Sequence, residues 1–109
     1  MYKKVLIVDD DANFAFSLMN KVVNYDCGIS LAESIGRAKT MLKNNHYDIV
    51  VANFRVPGGF SYTLKEEISS DTRILFMSSM TGDYERLNKM GENCIKKNEI
   101  YQKIEAICG

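Results

Sequence analysis

Several short apolar runs in this sequence end in polar residues that could do chemistry together. The five such residues are Asp9, Asp10, Asn53, Ser78 and Lys97. Adjacent carboxylates suit a hard cation such as Mg2+, which takes oxygen ligands in near-octahedral geometry. An ammonium group balances acidic charge and binds phosphoryl oxygens, and a hydroxyl group can hydrogen-bond to the same oxygens. If these side chains converge, the sequence predicts a site for a cation and a phosphoryl group.

Each of these residues has a more ordinary explanation when it is taken alone. Three acids at Asp9–Asp11 suit a helix N-terminus, where the helix dipole favours negative charge. Ser78 suits a turn at a strand end, and Lys97 follows Lys96 as surface lysines often do. Only their convergence favours a functional site. Whether they converge depends on the strands and helices that position them.

The elements that must position these residues alternate between short apolar runs and segments of helical period. The predicted strands contain Val5–Val8, Gly28–Leu31, Ile49–Ala52, Ile74–Met77 and Cys94–Lys96. Five helices are predicted. The first is capped by Asp11 and runs to about Asn24, the second covers Glu33–Asn45, and the third is short, capped by Ser61, and contains Leu64 and Ile68. The fourth lies within Thr81–Met90, and the last is capped by Asn98 and buries Ile100, Ile104 and Ile107. The segment Val56–Gly59 is predicted to be a loop.

Strands that alternate with helices in this way favour right-handed crossovers and a parallel sheet with helices on both faces. The predicted fold class is therefore α/β, with a five-stranded parallel sheet in the flavodoxin-like order 2-1-3-4-5. In such sheets ligands bind at the carboxyl ends of the strands, near the switch in strand order. The polar residues follow those ends, so the topology predicts that they converge.

Length and composition predict one domain over residues 1–109, with 46% hydrophobic residues as core material. Basic and acidic residues, 14 of each, cancel in net charge, which argues against binding to nucleic acid or to an anionic membrane surface. The apolar runs are too short for a signal or membrane helix. Cys27, Cys94 and Cys108 match no metal motif, so we expect three buried thiols in a cytoplasmic protein.

The order of these motifs resembles the receiver domains of response regulators along essentially the whole chain. The matching segments are Val5–Asp11, Ala32–Ser34, Tyr47–Gly58 and Ile74–Ser79, followed by Gly91 and Lys97. The acid pair, the run that ends in Pro57 and Gly58, and the distant lysine form a specific combination. The resemblance implies a (βα)5 receiver fold and a role in two-component signal transduction and phosphorelay.

The resemblance also implies roles for individual residues. Asp9 and Asp10 match the acid pair that binds the metal, and Arg55 matches the residue whose backbone carbonyl ligates it. Ser78 matches the switch hydroxyl, and Lys97 matches the lysine that contacts phosphate. Mg2+ is the one cofactor that the resemblance implies.

Several positions depart from the receiver pattern. Asn53 stands where receivers carry the phosphate-accepting aspartate, and an amide oxygen is a poor nucleophile compared with a carboxylate. Cys94 occupies the aromatic-switch position, and Asn98 replaces the proline that follows the lysine. The third and fourth helices are predicted to be shortened. Because Asn53 removes one carboxylate, the predicted Mg2+ site is weak at best. An ion pair of Lys97 with Asp9 and Asp10 would then stabilise this group of residues without a metal ion.

These departures favour a pseudo-receiver, which is a non-enzymatic module that binds a protein partner without phosphorylation. The alternative is an ordinary phosphoacceptor receiver in which the acceptor aspartate is replaced by Asn53. A flavodoxin-like cofactor protein is disfavoured, because the three acids after the first strand would repel a phosphate group.

The expected partner is a histidine kinase, a phosphotransfer protein or an effector. Receivers commonly bind such partners through the face formed by the fourth helix, the fifth strand and the fifth helix. Tyr84 and Tyr101 are the candidate contacts on this face, since tyrosine combines apolar area with a polar tip and is enriched in binding hot spots. Leu87 and Met90 are expected to face the core instead.

Overall fold

A central parallel sheet organises the computed structural model, which describes residues 2–109. The strands in chain order are β1 (Lys3–Val8), β2 (Cys27–Ala32), β3 (Ile49–Asn53), β4 (Arg55–Val56), β5 (Gly59–Phe60), β6 (Arg73–Ser78) and β7 (Cys94–Lys96). The α-helices are α1 (Ala12–Lys21), α2 (Ile35–Asn44), α3 (Thr81–Lys89) and α4 (Ile100–Cys108), and two 3-10 helices span Ser61–Glu66 and Lys97–Glu99. Met1, the first residue of the predicted domain, lies outside the described residues.

The five strands of the main sheet run in the order β2-β1-β3-β6-β7. This order confirms the predicted 2-1-3-4-5 topology, because β4 and β5 form a separate two-stranded hairpin. All neighbouring strands of the main sheet pair in parallel. The centre is buried on both faces, as the continuous apolar run Val5–Val8 predicts, and each of its residues is 0% exposed.

Two apolar layers cover the two faces of the sheet. Alternate residues of β1 point to opposite faces, so Leu6 and Val8 pack in one layer while Val5 and Ile7 pack in the other. The first layer includes residues of α2 and α3, and the second includes residues of α1 and α4. The predicted inward residues of the last helix, Ile100, Ile104 and Ile107, are all buried.

Side-chain caps begin the first two helices. The carboxylate of Asp11 accepts a hydrogen bond from the Phe14 amide at 3.1 Å, as the sequence predicts, and α1 ends at Lys21 rather than near Asn24. The hydroxyl of Ser34 accepts one from the Arg37 amide at 3.1 Å and begins α2.

The segment after β3 differs from its prediction in two ways. The predicted loop Val56–Gly59 is a tight hairpin, because positive φ values of 100° at Gly58 and 135° at Gly59 let the chain reverse and Val56 pair with Gly59. Ser61 does not cap the short helix but is its first residue, and its hydroxyl donates to the Phe54 carbonyl at 3.3 Å. The helix is a 3-10 helix that ends before Ile68, so the third helix is short as predicted.

The later helices differ from their predictions in two details, the exposure of Met90 and the cap of α4. Helix α3 has 9 residues, one fewer than α1 and α2, and Met90 at its end is 55% exposed rather than in the core. Leu87 is buried as predicted. Asn98 does not cap α4, because it lies inside the 3-10 helix that leads into it. In the part of the chain that the structure describes, no helix is long and apolar enough to cross a membrane.

The prediction of three buried thiols is wrong for two of the cysteines. Cys27 at the start of β2 and Cys108 at the end of α4 form a disulfide, with their Cα atoms 5.5 Å apart. They are separated by 81 positions in sequence, and only the packing of α4 against the sheet brings them together. Cys94 is a buried free cysteine, as predicted.

Candidate functional site

The residues at the carboxyl ends of the central strands meet at one end of the sheet. Asp9 directly follows β1, and Lys97 directly follows β7. The Lys97 ammonium lies 2.8 Å from Oδ2 of Asp9, although two other strands separate β1 from β7 in the sheet. Parallel topology therefore brings together an acid and a base that are far apart in sequence.

Asp9 is fully buried, and its two carboxylate oxygens have different surroundings. Oδ1 accepts a hydrogen bond from the Asp11 backbone amide at 3.0 Å. Oδ2 accepts no hydrogen bond from residues 2–109, so the charge of Lys97 is what compensates it. Lys97 also lies 4.5 Å from the centre of the Phe14 ring, where a cation is favoured. A buried carboxylate needs such a partner, because burying an isolated charge is costly.

Asn53 is half-buried at the end of β3 and bonds within its own loop. Its amide nitrogen donates a hydrogen bond to the Arg55 backbone carbonyl at 2.8 Å. This carbonyl is the atom that the sequence resemblance assigns to metal ligation. The oxygen that a cation would need therefore already accepts one N–H group, which takes one of its two lone pairs.

The side chain of Arg55 forms an ion pair that the sequence did not predict. Its Nε and Nη2 atoms donate to the two carboxylate oxygens of Asp83 at 2.6 and 3.1 Å. Asp83 lies in the first turn of α3 and is buried, whereas the Arg55 side chain is 50% exposed. The Arg55 guanidinium holds the pKa of Asp83 below its ordinary value, because its hydrogen bonds stabilise the carboxylate. This forked pair ties the loop after β3 to the start of α3.

The sequence contains only a weak signal for Asp83. An acid in the first turn of a helix is common, because the helix dipole stabilises it there, and it is usually exposed. Nothing in the local sequence marks this acid as buried or pairs it with Arg55.

Ser78 is buried at the end of β6 and its hydroxyl is engaged locally. The hydroxyl accepts from the Met80 amide at 3.0 Å and donates to the Met80 carbonyl at 3.1 Å. It stabilises the turn between β6 and α3. A cavity of about 270 Å3 lies beside this turn, and its lining includes Tyr84, Lys96 and Lys97.

Cys94 begins β7 beneath α3, at the predicted switch position. Burial raises the pKa of its thiol to about 11, and the nearby charge of Asp83 adds to the effect. The group is therefore a neutral, small side chain at neutral pH. It has no aromatic ring that could move between a buried and an exposed position.

The three predicted metal ligands do not fit a divalent cation in this arrangement. Asp9 faces the Lys97 ammonium, and the Arg55 carbonyl accepts a hydrogen bond from Asn53. Asp10 is exposed and makes no ion pair or hydrogen bond within residues 2–109. Mg2+ takes oxygen ligands in octahedral geometry. Here the Asp9 carboxylate is in an ion pair with an ammonium, and the Arg55 carbonyl already accepts a hydrogen bond. Among residues 2–109, no three His, Cys, Asp or Glu side chains form a group that could hold a metal.

Solved structures share this architecture, although no protein-family model and no curated protein matches the chain. The non-phosphorylated HemR receiver domain from Leptospira biflexa is 22% identical with a TM-score of 0.77, over 98% of this chain and 94% of that chain. A two-component response regulator from Clostridium difficile is 24% identical with a TM-score of 0.78, over 96% of this chain and 94% of that chain.

A third structure with the same fold contains bound ligands. It is a response regulator from Burkholderia pseudomallei with a phosphorylated aspartic acid, a calcium ion and citrate. It is 18% identical with a TM-score of 0.79, over 98% of this chain and 66% of that chain. These similarities show that the chain has the receiver fold.

Proposed function

We propose that this chain, which has the receiver fold, is a two-component-type signalling domain that binds a protein partner without being phosphorylated. The observation that carries the proposal is the hydrogen bond from the Asn53 amide to the Arg55 carbonyl. Asn53, which the resemblance assigns to the acceptor position, is a neutral amide, and its hydrogen bond engages the carbonyl that the resemblance assigns to metal ligation. We further propose that the domain catalyses no reaction and acts in the cytoplasm.

The charges at the site support this proposal. A receiver that accepts phosphate needs an anionic nucleophile and a cation that neutralises the incoming phosphoryl oxygens. Here the position of the nucleophile is occupied by Asn53, and the Lys97 ammonium is paired with the buried carboxylate of Asp9. Both charges of this pair are already compensated, so the folded state requires neither a metal nor a phosphoryl group.

The region around the predicted switch supports a single state of the partner face. Cys94 cannot act as an aromatic switch, and Arg55 holds Asp83 at the start of α3. These two hydrogen bonds join the loop after β3 to α3, so we propose that the helix is held in place without a signal from the acceptor position. Binding to a partner is therefore expected to be independent of a phosphodonor.

Tyr84 is the better of the two predicted contacts on the face formed by α3, β7 and α4. It is partly exposed, and the Lys96 ammonium lies 5.6 Å from its ring centre. Tyr101 is held within the domain, because its hydroxyl hydrogen-bonds Ser17 at 2.8 Å and its ring packs edge-on against Phe14. Replacing Tyr101 would remove these contacts together with any interface contact. Tyr84 also packs against the core, but its hydroxyl makes no hydrogen bond within residues 2–109, so Tyr84 is the cleaner probe.

Mass spectrometry after incubation with acetyl phosphate and Mg2+ tests the acceptor position. We expect no phosphoryl adduct on the wild-type protein, because an amide does not replace a carboxylate as the nucleophile. A stoichiometric adduct that hydroxylamine removes would overturn the proposal. Asn53→Asp distinguishes the alternative, in which the site is an intact receiver lacking one carboxylate. Slow or partial labelling of this variant supports the pseudo-receiver, and rapid complete labelling supports the alternative.

A second experiment tests the partner face. Immobilised protein is used to capture its partner, and affinity is then measured with and without beryllofluoride for the wild type and two variants. We expect Tyr84→Ala to weaken binding by about 1–2 kcal/mol, with no effect of beryllofluoride. The matched control is Tyr62→Ala, an exposed tyrosine on the 3-10 helix that also packs against a lysine. Equal affinities for both variants and the wild type would place the interface on another face.

A further inference from the structure

The Cys27–Cys108 disulfide lies at the end of the sheet opposite the candidate site. Cys27 begins edge strand β2, and Cys108 is the last residue of α4. Cys27 is partly exposed, whereas Cys108 is 6% exposed. A thiol from solution can therefore approach the bond from the side of Cys27. The bond joins the edge of the sheet to the helix that ends the fold.

A lysine lies between the two segments that carry the sulfur atoms. Lys3 on β1 is the strand partner of Cys27. Its ammonium donates a hydrogen bond at 2.8 Å to the carbonyl of Ile107, the residue before Cys108. A nearby cation favours the thiolate form of a cysteine, and thiolates are the species that carry out thiol–disulfide exchange. The surroundings of this pair differ from those of Cys94, which is buried and remains a neutral thiol.

We propose that Cys27 and Cys108 are a reversible redox site that fastens the end of α4 to β2. In the oxidising direction the two thiols lose two protons and two electrons to a low-molecular-weight disulfide, which becomes two thiols. In the reducing direction a dithiol attacks the sulfur of Cys27, and Cys108 leaves as a thiolate that takes up a proton. The second thiol of the reductant then displaces Cys27 and closes the reductant's own disulfide.

Non-covalent contacts keep α4 in place when the disulfide is open. Ile104 is buried against the sheet, and Glu105 pairs with Lys21 at 2.8 Å. The hydroxyl of Tyr101 also bonds to Ser17 on α1. Reduction therefore frees the last turn of α4 and the start of β2 without unfolding the domain. The site changes stability at one end of the molecule and leaves the Asp9–Lys97 pair at the other end intact.

The first test counts free thiols in buffers with different ratios of reduced to oxidised glutathione, by alkylation in denaturant and mass spectrometry. We expect all three cysteines to be alkylated in reducing buffer. In oxidising buffer we expect only Cys94 to be alkylated, with Cys27 and Cys108 recovered as one linked peptide. Three alkylated cysteines at every ratio would overturn the proposal, and so would a Cys27–Cys108 bond that excess dithiothreitol cannot reduce in the folded protein.

The second test measures Tm with and without dithiothreitol. We expect reduction to lower the Tm of the wild type by about 10 °C, because the bond closes a loop that spans most of the chain. Cys27→Ser and Cys108→Ser are expected to melt near the reduced wild type and to be insensitive to the reductant. Cys94→Ser is the control and should keep the full shift, even if its own Tm is lower. A wild-type Tm that reduction leaves unchanged would contradict the proposed fastening of α4.

Discussion

Two ion pairs lie at the carboxyl end of the sheet, and they have different origins and different surroundings. The Asp9–Lys97 pair joins a fully buried acid to a lysine whose side chain is 20% exposed. The Arg55–Asp83 pair joins an acid that is 4% exposed to an arginine that is 50% exposed. In the first pair a single ammonium group lies beside one carboxylate oxygen. In the second pair the guanidinium donates two hydrogen bonds, one to each oxygen of the carboxylate. Both pairs bury the acid and leave the base closer to water.

The comparison shows how residues of this chain balance two buried carboxylates in different ways. In the first pair Lys97 supplies the positive charge that a buried carboxylate requires. In the second pair Arg55 supplies a mechanical link, since its planar guanidinium fixes both the distance and the orientation of Asp83. One pair compensates charge and the other positions α3. The following variants separate these two roles.

The largest effect is expected from Lys97→Met. This change leaves the Asp9 carboxylate buried beside no cation, and we expect the free energy of unfolding to fall by about 3 kcal/mol. Chemical denaturation at neutral pH measures the loss. The matched control is the double variant Asp9→Asn/Lys97→Met, which removes both charges and should regain most of the stability. If the double variant is as unstable as the single one, charge compensation is not the role of Lys97.

A smaller effect is expected from Asp83→Asn, which removes the charged acceptor from the forked pair. We expect Tm at neutral pH to fall by about 8 °C, because one of the two hydrogen bonds is lost and the ion pair with Arg55 is broken. Differential scanning calorimetry measures the change. Asp10→Asn is the control: Asp10 is exposed, so the Tm of this variant should equal that of the wild type.

The same pair predicts a dependence on pH. The pKa of Asp83 is lower in the folded protein than its ordinary value of 3.8, so the carboxylate stabilises the fold fully above that value. Stability is lost as pH falls through the lowered pKa. The difference in Tm between the wild type and Asp83→Asn should therefore be constant near neutral pH and shrink below pH 3.8. A difference that persists unchanged in strong acid would mean that the charge of Asp83 does not stabilise α3.

The smallest effect is expected from Ser78→Ala, at the end of β6. Its hydroxyl bonds only to the backbone of Met80, so we expect a loss of about 0.5–1 kcal/mol in the free energy of unfolding. Chemical denaturation again measures the change, with the exposed neighbour Ser79→Ala as the control. A loss as large as that of Lys97→Met would show that Ser78 belongs to the same charge network as Asp9.

Local patterns predicted most of the fold. The apolar runs mark most clearly the three central strands β1, β3 and β6, because strands buried on both faces must be continuously apolar. Asp11 marked the start of α1, since a carboxylate at that position bonds to a free amide of the first turn. The hairpin at Val56–Gly59 was missed, because pairing over two residues on each strand leaves no periodic signal. The exposure of Met90 was missed because it lies at the end of α3, where the helical period no longer decides the direction of the side chain.

The sequence by itself determined the topology and the positions that meet at the carboxyl end of the sheet. It also predicted that an amide, Asn53, stands where the resemblance to receivers assigns the phosphate acceptor. Which partner each side chain takes was decided only by the tertiary structure, as for Arg55 with Asp83 and Cys27 with Cys108. The physical reason is that periodicity and strand ends reflect local burial, whereas a contact between distant residues depends on how loops and helices pack in space.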